Sequence, residues 1–527
     1  MSRTGHLEVT GGDPPTSLPG FASILFPSGP PDLRSIEEPP CFRDLNLDQV
    51  VEAAVAGREE HDLVPFFRLP LGSVEEVAYR HEIFGDLESA PVHDALAEFG
   101  ERMHRVRAFL ALVRKQHHEP EKQRWLLDAA ALYTAAVSGL LRALAGEELA
   151  SRGLIAFVSY LAGYVAGDAF SALAAEAETV LGALGQIAYN LRLNGTRVTV
   201  SRYEGEPDYG DEIEELFARF RQDGVPSERE TGGDGRSMDH VEAQIAQLVA
   251  RLYPREFAEL RRFCSRHRDF VDPTIAAFDR EIQFYLAWIA YRDRVSAGEV
   301  VFSLPEISSE SKTEVVEDGF DVALASKLRS EGARVVCNGY RLDANERLLV
   351  VTGPNQGGKT TFARMFGQLH HLAALGVPVP ARTARLFLAD RIFTHFEREE
   401  VAGSLRGRLD DELVRLRGML ESATGSSVVV LNEVFASATL ADARDLGTEI
   451  LAALIARGCP GVCVTFIDEL SRLGDATVSQ VAQVAPDDPA KRTFEVLPQP
   501  ADGRAYAWAI ARKHGLSYEQ VRERLSG

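Results

Sequence analysis

Residues 350–361 read VVTGPNQGGKTT. An apolar run, RLLVV (347–351), stops at a glycine-rich turn, and the turn leads into TTFARMFGQLHHLAALG (360–376), whose apolar residues recur at helical spacing. Gly353 to Thr360 fits G-x-x-x-x-G-K-[ST] at every position, in the strand, loop and helix setting that gives this motif its meaning. The loop Gly353, Pro354, Asn355, Gln356, Gly357, Gly358 is expected to wrap phosphate, because glycines let backbone N–H groups approach anionic oxygens and a helix N-terminus adds partial positive charge. Lys359 is placed to reach the outer phosphates, Thr360 to ligate Mg2+ through its hydroxyl, and Thr361 to follow in the first helical turn. ATP and Mg2+ are the expected cofactors.

A second apolar run, VVVLNEV (428–434), ends in Asn432-Glu433. Phosphate-loop enzymes place a metal-binding acid at such a strand end, and a following glutamate can activate the attacking water. Glu433 is therefore the candidate catalytic carboxylate beside Lys359, and Asn432 the candidate metal ligand. An amide oxygen still reaches a cation but brings no charge, so hydrolysis is expected to be slow.

Around these runs the texture of the C-terminal part is strand alternating with helix: RLLVVTG, ARLFLADRIFTHF, SSVVVLNEV, GVCVTF and RTFEVL. This predicts an α/β sheet with helices on its faces. From Leu45 to about Val300 the apolar spacing is three and four, which predicts a mainly helical region. One stretch breaks it: AYNLRLNGTRVTVSRY (188–203) alternates around Asn-Gly and predicts a β-hairpin, followed by the polar loop QDGVPSERETGGDGRS (222–237). The expected domains are an irregular arm over 1–40, a helical domain over 41–325 with a small β insert near 188–237, and an ATPase domain over 326–527.

With 527 residues, the chain exceeds what one hydrophobic core fills. The N-terminus has no apolar core behind a basic start, so a cytoplasmic protein is expected. The apolar stretch at 154–170 carries Gly, Ser, Tyr and Asp and reads as a buried helix, not a membrane span. Five cysteines, at 41, 264, 337, 459 and 463, form no disulfide or zinc pattern. A net charge of −21 argues against a protein coated in basic residues, but two basic concentrations stand out, 102–124 and 251–268; from charge alone each reads first as a solvated helix face, with a local binding surface as the alternative.

The line TGPNQGGKTT (352–361) is similar to the TGPN-x-GGK-[ST]-T line of the MutS family of DNA mismatch-repair ATPases. The resemblance continues through LGVPVPARTARLFLADRIFTHF (375–396), LNEVFASATLADA (431–443) and the closing segment 492–525. LNLDQV (45–50) and YRHEIFGDLE (79–88) resemble that family's core and lever helices more weakly. The resemblance implies an α/β ABC-type P-loop ATPase domain joined to a mainly α-helical core and lever domain. It implies a homodimer with nucleotide at the interface, double-stranded DNA as partner, repair proteins as further partners, and a role in repair or recombination. Asn338, in VVCNGY (335–340), matches the family's asparagine beside the adenine.

Several positions depart from the family pattern. Val335 and Val336 stand where the adenine-stacking aromatic is expected, and Phe466, in VTFIDEL (464–470), stands at the switch histidine. The trans-acting signature is VAGSLRGRLDDELVRL (401–416), with Arg406 near its serine position. Arg406 and Arg408 read either as charge stabilisers acting across a dimer or as surface arginines opening a helix. A mismatch-reading domain and a nuclease tail are expected to be missing. These departures resemble a divergent bacterial MutS-like protein, and they leave a second class open: an ATP-gated protein-interaction switch with weak hydrolysis and no DNA role. A transporter ATPase would carry a glycine-rich signature just before VVVLNE, where residues 413–427 hold a helical run and SATGSS.

Overall fold

A computed structural model describes residues 21–115, 117–194, 197–205, 240–397, 408–485, 488–501 and 522. The first half of the expected N-terminal arm, the polar loop at 222–237, Arg406 and most of the closing segment lie outside the described residues. The chain divides into two compact units that interleave in sequence: Met1–Phe21, Leu87–Leu149 and Leu154–Asp279 form one, and Ala22–Asp86, Ala150–Gly153 and Arg280–Gly527 the other.

The second unit holds two sheets. Its six-stranded sheet has the order Asp488–Pro498, Thr477–Ala485, Leu348–Thr352, Gly461–Val464, Val428–Asn432, Ile392–His395. All neighbours are parallel except the first pair. Leu348–Thr352, Val428–Asn432 and Gly461–Val464 are buried along their whole length, which is why they read as unbroken apolar runs. A four-stranded sheet follows the order Glu306–Ser308, Thr383–Phe387, Glu314–Gly319, Asn338–Leu342. The run ARLFLADRIFTHF thus supplies two strands to two different sheets. The break falls at Asp390, whose carboxylate accepts from Thr424 and Ser427 hydroxyls at 2.5 and 2.8 Å.

The helix Lys359–Ala374 packs against the large sheet and is buried over most of its length. Three of its polar side chains are satisfied inside the core. Gln368 donates to the Leu45 carbonyl and to Asp321, each at 2.8 Å, and accepts the Val322 N–H at 2.9 Å. His371 Nε2 donates to the Phe67 carbonyl at 2.9 Å. His370 Nε2 lies 3.0 Å from Glu314, whose other oxygen accepts the Tyr340 hydroxyl at 3.2 Å. Burial by itself would lower the His370 pKa, and the fully buried Glu314 carboxylate overrides it, so the imidazole is held above its usual value.

Residues 22–86 belong to this unit. Gly367 admits Leu45, whose side chain would sit 2.6 Å from a Cβ built there, so the turn before the helix Leu47–Val55 closes directly onto Lys359–Ala374. Ile24 and Leu25, in the expected arm, are irregular but fully buried, and Ser23 Oγ and the Ile24 N–H both donate to Glu281 at 2.8 Å. Arg80 is buried between the rings of Phe26 and Phe284 and donates to the carbonyls of Leu25 and Leu375 at 3.1 and 2.7 Å.

The other unit is helical. Ala90–Lys115 and Glu119–Leu144, each 26 residues, are joined by a link short enough to force them antiparallel. Arg152–Ala166 turns by 61° at Gly167 into Asp168–Gly185. The hairpin expected at 188–203 is present as Tyr189–Asn194 and Arg197–Arg202, paired antiparallel from Tyr189 with Arg202 to Asn194 with Arg197. His240–Leu252, Pro254–Arg266 and the start of Pro273–Ser296 complete it. Among the described residues Glu119–Leu144 is long and apolar enough to cross a membrane, and half of that apolar window is buried within the protein. The bent pair Arg152–Ala166 and Asp168–Gly185 passes the same test only when counted as one.

Candidate functional site

The parallel register gathers the candidate residues at one edge of the large sheet. Val464 is level with Val351 on one side and Asn432 on the other. Thr465, Glu433 and the loop from Gly353 therefore all leave the sheet at the carboxyl ends of its strands, where α/β sheets bind ligands. Gly353 has φ +111°, and a Cβ there would lie 2.8 Å from the Ala482 carbonyl oxygen, so only glycine fits. Gly358, with φ +93°, is the N-cap of the 16-residue helix Lys359–Ala374, and no side chain caps that end. Its first N–H groups are left for an anion.

Lys359 is 4% exposed. Its ammonium donates to the Gly353 carbonyl at 2.9 Å, to Asn355 Oδ1 at 3.1 Å and to the Pro354 carbonyl at 3.3 Å. Burial lowers its pKa, Glu433 pulls the other way, and Arg492 adds to the lowering. Glu433 is thus near enough to act electrostatically on Lys359. Arg492 is tied to the loop itself, with Nε donating to the Asn355 carbonyl at 3.2 Å.

Asn432 is 7% exposed and its Oδ1 has no hydrogen-bond partner. A buried amide oxygen left unpaired costs about 1–3 kcal/mol, which a cation or its water would recover. Among the described residues no group of three or more His, Cys, Asp or Glu can hold a metal ion. Mg2+ beside phosphate needs only one or two protein ligands, and the unpaired Asn432 Oδ1 has the chemistry of one.

Glu433 is half-buried with φ 54°, and its N–H donates to the Val464 carbonyl at 2.9 Å. Two residues on, Phe435 also has positive φ, 62°, and its N–H donates to Glu412 Oε1 at 2.8 Å. Glu412, from the helix Arg408–Ser422, is held in turn by His395 Nε2 at 3.1 Å. Burial raises the Glu412 pKa, but the His395 bond and the Phe435 N–H outweigh it and keep the carboxyl below its usual range. This buried pair pins the turn that carries Glu433. No motif in the sequence marks it.

Asn338 opens the strand Asn338–Leu342, and its amide bridges to the outer hairpin strand. Nδ2 donates to the Phe494 carbonyl at 3.2 Å, and Oδ1 accepts the Val496 N–H at 2.7 Å. Residues 493–495 stand opposite Gln483 alone, because Ala482 pairs with Val496 and Val484 with Arg492. This bulge gives Phe494 φ 63° and leaves its ring 49% exposed. The Phe494 carbonyl oxygen lies 3.5 Å from a Cβ built on Gly358, so the bulge sits against the phosphate loop. The exposed Phe494 ring thus stands on a strand beside the phosphate loop, apart from Val335 and Val336. Period-two alternation could not have found it, because the bulge breaks the period.

Phe466 is 47% exposed at the edge of the site, after Thr465, whose N–H donates to the Val351 carbonyl at 3.0 Å. Arg408 is the first residue of Arg408–Ser422. The Arg408 side chain and all of Arg406 lie outside the described residues. Gln356 has φ 60°, and with Asn355 it is exposed on the loop.

Residues 349–519 match the family profile described as MutS domain V. Endonuclease MutS2 of Thermus thermophilus is 32% identical over 188 residues, 36% of this chain and 25% of the relative. The DNA mismatch repair protein MutS of Thermotoga maritima is 36% identical over 137 residues, 26% of this chain and 17% of the relative. That of Erythrobacter litoralis is 28% identical over 286 residues, 54% of this chain and 30% of the relative. The chain thus matches less than a third of the length of each of these relatives. The specific TGPN-x-GGK loop, the profile match over the surrounding sheet and these relatives agree, and over residues 349–519 the chain carries a match to domain V of the MutS family.

Proposed function

We propose that this chain binds and slowly hydrolyses ATP at the loop 353–361, and that two copies close around ATP and couple that closure to double-stranded DNA in repair or recombination. The observation that carries the reading is the Lys359 ammonium, buried on the loop carbonyls beside a helix end that no side chain caps. ATP phosphates would take over the Lys359 bonds and the free N–H groups of the first helical turn. Asn432 and Thr360 would hold Mg2+, which when bound neutralises charge on the outer phosphates. Glu433 would orient and deprotonate the attacking water, while Glu412 keeps its turn in place.

A second reading, an ATP-gated protein switch without DNA, is favoured by two particular residues. Asn432 brings no negative charge to the metal, and Phe466 has no group to hydrogen-bond phosphate or water. Steady-state ATP hydrolysis by the purified chain, alone and with plain, mismatched and branched duplexes, separates the two. Turnover that rises or falls with a duplex supports the first reading and names the DNA. Nucleotide binding that no DNA alters supports the second.

The base is proposed to lie on the Phe494 ring with its edge toward Asn338. Phe494→Ala is expected to weaken ATP binding about tenfold, as loss of one stacking face costs roughly 1–3 kcal/mol, and to weaken inorganic triphosphate binding little. Equal affinity for ATP in variant and parent would move the base into the cleft of about 610 Å3 that Asn338 lines with Tyr340 and Gln480, where Gln480 Oε1 is buried without a partner.

A further inference from the structure

The outer hairpin of the large sheet forms one wall of the phosphate loop. On the strand Thr477–Ala485, the Ala482 carbonyl oxygen lies 2.8 Å from a Cβ built on Gly353, and the Ala482 methyl lies 3.2 Å from one built on Gly357. On the strand Asp488–Pro498, the bulge at 493–495 sits against Gly358. Arg492 is the last residue paired with the neighbouring strand before that bulge, opposite Val484. Bulges bend a strand and re-aim the side chains beside them. Here the Arg492 side chain reaches the loop, with Nε donating to the Asn355 carbonyl at 3.2 Å.

Asn355 is thereby held between two cations. Its carbonyl accepts from Arg492, and its side-chain oxygen accepts from the Lys359 ammonium at 3.1 Å. The two like charges meet on one loop residue and oppose each other in the free protein, where Arg492 adds to the lowering of the Lys359 pKa. Holding a carbonyl in place needs only a neutral donor, so a loop clamp alone does not explain a charged side chain there. A polyanion does, because it turns the repulsion into two attractions. The guanidinium carries five N–H donors in a plane, and one bond from Nε fixes its position without using up the fork that suits phosphate oxygens. Asn432 brings no negative charge to a metal, which weakens its hold on Mg2+ and leaves more of the phosphate charge for the chain to balance.

We propose that Arg492 is a further catalytic residue, which grips the terminal phosphate of ATP from the same chain and stabilises the charge that builds during hydrolysis. The inference rests on the ATPase reading above and assigns that site a second cation. In the step it assists, the water oxygen bonds to the terminal phosphorus while the bond from that phosphorus to the bridging oxygen breaks. The electron pair of that bond stays on the bridging oxygen of ADP, and the proton of the water passes to Glu433. Negative charge gathers on the bridging oxygen, and a guanidinium already in place stabilises it without reorganisation.

The test is isothermal titration of the full chain with ATP and with ADP, each with Mg2+, together with single-turnover ATP hydrolysis, in the parent and in Arg492→Gln. The glutamine amide keeps a neutral donor for the Asn355 carbonyl and removes the charge. Arg492→Gln is expected to weaken ATP about 10- to 100-fold and ADP less than about threefold, and to slow the single turnover about 10- to 100-fold. A role confined to clamping the loop would weaken ATP and ADP alike, because both use the loop. Equal losses therefore overturn the inference, as does a variant that binds both nucleotides and turns over like the parent. Either result leaves the ATPase reading standing, whereas a parent that binds no ATP overturns both. A thermal scan without nucleotide checks the fold. Should Arg492→Gln lose the parent's melting transition, Arg492→Met, an unbranched side chain without charge, replaces it. A fall of about tenfold in the ratio of ATP to ADP affinity then supports the contact, and an unchanged ratio overturns it.

Discussion

Lys359→Ala is expected to abolish ATP binding at micromolar nucleotide and, with it, all turnover. Two charge-assisted bonds to phosphate at roughly 1.5–3 kcal/mol each are lost, so affinity should fall by about 10²–10⁴. The free protein is affected much less. Lys359 is bound to three loop acceptors, which the variant leaves to solvent, but a desolvated charge is removed with it. Isothermal titration with ATP and Mg2+ gives the affinity, and a thermal scan without nucleotide confirms that the fold survives. A folded variant that binds ATP as the parent does would remove the loop 353–361 from the assignment. Loss of binding together with loss of the fold would instead mark Lys359 as a structural residue, and Lys359→Met, which fills the same space without the charge, then decides between the two.

The phosphate loop was legible because its information is local. A glycine with φ +111° against Ala482, a lysine six residues on and an uncapped helix all follow from one short run of chain. The strand ending in Asn432 was legible for the same reason: burial on both faces makes an apolar run with a defined end. Partnership between distant segments was not. Helical spacing identifies an apolar face at 41–86 but not what it packs on, and the answer, Leu45 against Gly367 and His371 against the Phe67 carbonyl, lies some 300 residues away. Arg114, Lys122, Arg261 and Arg268, which line one cleft of the helical unit, are likewise separated by up to 154 positions, 268 − 114, and charge counts along the chain could not show which were already paired. Glu412 is an ordinary acidic residue in a charged helix until the fold brings it to the Phe435 N–H.

Backbone strain concentrates where the chemistry is proposed. Of the eight non-glycine residues with positive φ among those described, Gln356, Glu433, Phe435 and Phe494 are four, and all lie on the loop, the strand end or the bulge against them. Left-handed backbone costs such residues roughly 1–2 kcal/mol each and persists only where neighbours impose it. Phe435 is imposed on by Glu412, and Phe494 by the Asn338 bridge to its carbonyl and to the Val496 N–H.

That strain bears on the second large effect, which is expected at Glu433. Glu433→Gln keeps the side-chain shape and the left-handed turn but removes the base, and ATP turnover is expected to fall by about 10²–10³. ATP binding should be retained or tightened, since the Lys359 bonds and the helix end are untouched, and the variant should accumulate the ATP-bound closed dimer. Single-turnover hydrolysis separates chemistry from product release, and size exclusion with ATP and Mg2+ reads the dimer. A second substitution, Glu412→Gln, distinguishes base from scaffold. It leaves Glu433 in the chain but weakens the bond to the Phe435 N–H, so turnover should fall by less than in Glu433→Gln. An unchanged single-turnover rate in Glu433→Gln would take Glu433 out of the chemistry, and the ATP-gated switch, binding without useful hydrolysis, would become the better account of the site.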